Sequence, residues 1–94
     1  MVTIDANVWV AALDPRDVFH AESLRFLGAV AERHLKVVAP SILLVETACA
    51  VARRAGSASA GDAALERLRT YPHLIVQAMH ADLVATAAHL GAQL

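Results

Sequence analysis

An α/β fold is predicted, with a parallel sheet of about three short strands and helices on both faces. Three observations predict it. Short β-prone runs at Val2–Ile4, Lys36–Ala39 and Leu74–Val76 are separated by longer segments of helical pattern. Alanine supplies 21 of the 94 residues, and alanine is the strongest helix former. The three prolines, Pro15, Pro40 and Pro72, fall between the segments rather than inside them. Strands alternating with helices favour a parallel sheet covered by helices.

The first strand, Val2–Ile4, ends in Asp5. After Asn7, the run Val8–Leu13 has helical composition up to Asp14-Pro15, where proline disfavours helical geometry at the preceding residue. From Phe19 to Arg33, apolar residues at Phe19, Leu24, Phe26, Leu27, Val30 and Ala31 lie close to a helical period. The second strand is closed by Pro40. Ser41 is placed to cap a helix over Ile42–Arg54 that stops near Gly56. The small residues from Ser57 to Gly61 read as a loop, in which Ser59 and Asp62 form an S-x-x-D pair able to cap a helix running to about Thr70. After Tyr71-Pro72 comes the third strand. A last helix is expected from about Asp82 to His89, stopped by Gly91. The order is β-α-α-β-α-α-β-α within one domain, residues 1–94.

Composition narrows the function. Hydrophobic residues make up 57% and charged residues 18%, which excludes a disordered solvating chain. A net charge of −1 excludes a basic footprint over the whole surface and leaves room for a local one at Arg53-Arg54 or Arg67-x-Arg69. One cysteine, Cys49, excludes an internal disulfide and a multi-cysteine zinc site, and its apolar helical neighbours read it as an inert small hydrophobe. No apolar run of 18 residues and no signal-peptide pattern is present, so a cytoplasmic domain without a membrane segment is expected. Glycine-rich phosphate loops and the G-x-S-x-G elbow are missing. The five histidines are spread along the chain with no i, i+4 pair and read as surface or structural residues. Trp9 reads as core or interface.

Two acids carry the chemical interest. Asp5 directly follows an apolar strand, at the carboxyl edge where open α/β sheets bind ligands. It can cap the following helix, or it can serve a site. Glu46 stands in a helix whose neighbours three and four residues away are Ile42, Leu43, Cys49 and Ala50. It can roll to a solvated edge, pair with Arg53, or point toward Asp5. Two carboxylates about 4 Å apart repel by roughly 4 kcal/mol at an effective dielectric of 20. A hard divalent cation removes that repulsion and prefers oxygen ligands. Asn7, two residues after Asp5, is placed to hold its carboxylate or a water on the cation.

The segment VTIDANVWVAAL resembles the opening of a PIN domain, a strand ending in Asp followed by x-Asn and an apolar helix. APSILLVETACAVAR resembles the second acidic motif of that family, and HADLVATAAHLGAQL with the element order resembles the N-terminal two-thirds of a VapC-type toxin. The resemblance implies a Mg²⁺- or Mn²⁺-dependent ribonuclease, paired with a small antitoxin and often dimeric. Carried over by residue, Asp5 and Glu46 are the metal-site acids and Asn7 is the polar partner of Asp5. In the family a third acid follows in an R-G-A-D-like segment, and this sequence reaches Gln93-Leu94 about where that segment begins. Little or no activity is therefore expected from these residues alone, with the missing acids supplied by a partner subunit or a missing segment. An apolar edge at Val2–Ile4 is expected to promote self-association. The competing expectation is a non-catalytic remnant that binds an antitoxin-like peptide or a homologous subunit. A third is an ordinary α/β domain in which Asp5 is a cap and Glu46 an ion-pair partner.

Overall fold

The computed structural model describes residues 1–78. Their order is α1 (Ala6–Leu13), α2 (His20–Glu32), β1 (Val37–Pro40), α3 (Ser41–Ala55), α4 (Ala58–Arg69) and β2 (Leu74–Gln77). The helix expected at Asp82–His89 lies outside the described residues.

The mixed α/β class and the parallel sheet are as the sequence predicts. β1 and β2 pair in parallel, with Val37 level with Leu74 and Pro40 level with Gln77. The expected third strand is reduced. Val2 forms a single parallel bridge with Val37, in which its N–H donates to the Lys36 carbonyl at 2.8 Å and its carbonyl accepts from the Val38 N–H at 3.0 Å. Ladder pairing stops there because Asp5 caps α1 three residues later and pulls the chain into helix. β1 therefore lies between the N-terminal segment and β2.

The core gathers Ile4, Trp9, Ala12, Leu27, Val30, Val37, Ala39, Leu44 and Leu68. Trp9 belongs to it, with its ring edge-on to Tyr71 at a centroid distance of 5.0 Å. The Tyr71 hydroxyl donates to the Leu27 carbonyl at 2.7 Å, which fastens the turn before β2 to α2. Burial raises the pKa of that phenol. Of the apolar positions read in the second helix, Leu27 and Val30 are buried, while Phe19, Leu24 and Phe26 stay largely exposed. α3 and α4 form the largest helix–helix contact. Small residues permit it: a Cβ on Gly61 would stand 2.9 Å from both the Ala48 carbonyl oxygen and the Ala52 Cβ.

Two helix starts differ from expectation. Ser41 is already the first residue of α3, and Pro40 holds the cap position with no side-chain bond. α4 begins at Ala58, because Ser57 rather than Ser59 caps it, accepting from the Ala60 N–H at 3.4 Å. The Ser59 hydroxyl instead lies 2.8 Å from that of Ser57. The stop of α3 is as expected: Gly56 adopts φ 65°, and the Ser57 N–H reaches back to the Ala52 carbonyl.

Candidate metal edge and the acidic residues

Asp5 caps α1. Its Oδ1 accepts from the Asn7 main-chain N–H at 3.1 Å, so the Asp5–Asn7 contact runs through the backbone of Asn7. Ile4 just before it is buried, whereas the Asp5 and Asn7 side chains are exposed. A carboxylate offers about four lone-pair sites, and this cap uses one. Counted from the Val2–Val37 bridge, Asp5 and Pro40 each come three residues later, so Asp5 and the entry to α3 share the carboxyl edge of the sheet.

Glu46 opens the second turn of α3, about 7–8 Å of helical rise beyond Ser41. The helix buries Leu44, Thr47 and Val51, which leaves Glu46 on the exposed side with Ile42, Val45 and Cys49. The apolar residues around Glu46 are thus largely surface residues. Cys49, read from sequence as a packed hydrophobe, is an exposed thiol. The expected alternative partner, Arg53, makes no ion pair with Glu46 among the described residues. Neither Asp5 nor Glu46 has a cationic partner there.

As a cation site, the donor set is right in kind and short in number. Carboxylate oxygens suit Mg²⁺ or Mn²⁺. Among the described residues, however, no three His, Cys, Asp or Glu side chains gather closely enough to hold a metal ion.

Beside Asn7, a cleft of about 370 Å³ runs between α1 and α2, lined by Val8, Ala11, Phe19, Ser23 and Phe26. Its lining is almost wholly apolar, and both phenylalanines are about half exposed.

A second acidic group was not anticipated. The Arg54 guanidinium bridges Asp14 at 3.3 Å and Asp17 at 2.6 Å, which joins the loop between α1 and α2 to the end of α3. Arg16 closes the group by donating to the Arg54 carbonyl at 2.7 Å. Asp14 is buried and held below the ordinary carboxyl range, chiefly by the Arg16 main-chain N–H, with burial opposing and Arg54 assisting. Asp17 is lowered chiefly by the Arg54 side chain and then by the Phe19 N–H. In turn, Asp17 and Asp14 raise the Arg54 pKa. The sequence offers Arg53-Arg54 only as a local basic patch; the signal for this group is the pair Asp14 and Asp17 around Pro15, with Arg16 the one cation between them.

No family model matches the chain, and no curated protein or solved structure gives a significant match to it. No described helix is long and apolar enough to cross a membrane.

Proposed function

We propose that the chain is a PIN-like endoribonuclease module that uses Mg²⁺ or Mn²⁺ and acts as the toxin of a toxin–antitoxin pair. The observation that carries this reading is the pair of exposed acids without cationic partners among the described residues, Asp5 after the N-terminal segment that bridges β1 and Glu46 on the helix that leaves the same edge. The resemblance of their surrounding segments to the first two acidic motifs of the family supports it.

In this reading Asp5 and Glu46 hold the cation through carboxylate oxygens. The Asn7 N–H fixes one Asp5 oxygen and leaves the other free to accept. When bound, the ion supplies Lewis acidity at the phosphodiester and lowers the pKa of a coordinated water. The chain's own residues orient that charge at the sheet edge, and the RNA phosphate completes the ligand set. Two carboxylates alone hold a cation weakly, so turnover by the chain alone is low unless a second subunit contributes further acids.

Cleavage of a structured RNA by the full chain tests this, with Mg²⁺, with EDTA and with Asp5→Asn. Asparagine caps a helix about as well as aspartate, so the variant keeps α1 while removing the charge. Mg²⁺-dependent cleavage lost in EDTA and in the variant is expected. Cleavage that survives both treatments overturns the reading.

A binding module is the second reading, favoured by the apolar Phe19–Phe26 cleft and by the low number of metal donors. Tight binding of an apolar antitoxin-like peptide by a chain that takes up no divalent ion supports it.

A further inference from the structure

The opposite edge of the sheet carries a feature that the nuclease reading does not use. His34 and His73 lie 39 residues apart in sequence, yet His34 Nδ1 stands 3.3 Å from His73 Nε2. Their rings meet at 76°, with centroids 5.4 Å apart, and both residues are exposed. Parallel pairing brings them together. His34 lies three residues before β1, and His73 immediately precedes β2, its carbonyl accepting from the Val37 N–H at 3.1 Å.

Both residues also occupy backbone positions that would ordinarily favour another residue type. They are the only non-glycine residues with positive φ among those described, at 54° for His34 and 59° for His73. His34 follows the last turn of α2, where the Leu35 N–H reaches back to the Val30 carbonyl at 3.3 Å, a helix stop at which glycine is the common choice. His73 follows Pro72 in a turn closed by Leu74 N–H to the Tyr71 carbonyl at 3.4 Å; proline followed by a left-handed residue is a pattern that favours Gly or Asn. An imidazole is bulkier than either position requires. Two such positions converge ring nitrogen on ring nitrogen.

The spacing suits a metal ion. Ligand nitrogens each about 2.0–2.1 Å from a tetrahedral zinc ion stand about 3.3–3.4 Å apart. Each ring needs its lone pair inclined by roughly 35° from the N···N line to meet such an ion. We propose that His34 and His73 form a bidentate site for a borderline divalent transition ion such as Zn²⁺, Ni²⁺ or Cu²⁺, coordinated through His34 Nδ1 and His73 Nε2. Neutral imidazole selects these ions over Mg²⁺. No third His, Cys, Asp or Glu joins them among the described residues. The site lies across the sheet from Asp5 and is independent of the nuclease reading.

The test is a Zn²⁺ titration of the full, untagged chain at neutral pH, by calorimetry and by nitrogen-15 NMR of the imidazoles. One ion per chain is expected, shifting His34 Nδ1 and His73 Nε2 together. Excess Mg²⁺ leaves binding unchanged, and excess EDTA removes the ion. His34→Asn and His73→Asn, chosen because asparagine tolerates a left-handed backbone, each weaken binding by at least about tenfold through loss of the second attachment. Millimolar or weaker binding, shifts at other histidines instead, or affinity unchanged in both variants overturns the proposal. The imidazole shifts are read on the unsubstituted chain, so they decide the matter even if a variant misfolds.

Discussion

The carboxylates fall into two regions with opposite treatment. Asp14 and Asp17 are drawn in, bridged by Arg54 and lowered in pKa by the hydrogen bonds that hold them. Asp5 and Glu46 stand exposed, and neither has a cationic partner among the described residues. The first pair answers a folding problem, since a loop broken by Pro15 must be tied to the end of α3. The second pair answers no folding problem beyond the single cap that Asp5 provides. Acids already neutralised by an arginine have little charge to offer a ligand, whereas uncommitted acids at a sheet edge retain theirs.

The largest expected effect on stability comes from breaking the committed pair. Arg54→Met leaves Asp14 buried without its bridging cation, and thermal unfolding should show a midpoint lower by several degrees. The same variant should change the acid limb. Asp14 and Asp17 have folded pKa values below the ordinary 3.8, so their stabilisation is fully present above that value and is lost as pH falls through the lowered values. Denaturant midpoints measured from pH 6 downward should fall less steeply in Arg54→Met than in the parent chain. An unchanged acid limb would falsify the assignment of these aspartates as paired.

Smaller effects sharpen the other half. Asp5→Ala removes the cap and should cost about 0.5–2 kcal/mol by denaturant titration, whereas Asp5→Asn should stay within a few tenths of a kcal/mol of the parent. Beside Glu46, Thr47 is fully buried and its hydroxyl has no hydrogen-bond partner among the described residues. Thr47→Val should therefore be stabilising by about 1 kcal/mol, seen as a raised unfolding midpoint. A drop of similar size would mean that the hydroxyl has a partner, such as an ordered water. Glu46→Gln should be nearly silent in stability, within about 0.5 kcal/mol, because Glu46 is exposed and has no ion pair among the described residues. A marked destabilisation would move Glu46 into the structural class.

What was legible in the sequence was local. Pro15 marked the end of α1, Gly56 the end of α3, and the period of Leu27 and Val30 the buried face of α2. Asp5 was visible both as a cap and as a site candidate because both roles depend on its position directly after Ile4. The cap of α4 was misplaced by two residues, since Ser57 and Ser59 offer identical hydroxyls and backbone geometry chooses between them. Contacts spanning 37 to 40 residues were not legible: Arg54 with Asp14 and Asp17, and His34 with His73. No periodicity encodes them, and they appear only once the parallel pairing and the helix crossings are fixed. The apolar surroundings of Glu46 misled for a related reason. Which side of α3 is buried depends on where α1 and α4 pack, and they cover Leu44, Thr47 and Val51 rather than Ile42 and Cys49.

The central claim, that Asp5 and Glu46 jointly hold a hard cation, is tested most directly by titrating Mn²⁺ into the full chain with an RNA oligonucleotide present and following paramagnetic broadening of the backbone amides. The account predicts that the amides of Ala6, Asn7 and Thr47 broaden first, and that Asp5→Asn and Glu46→Gln each remove the effect. Broadening centred elsewhere, or persisting around α1 in both variants, would contradict it.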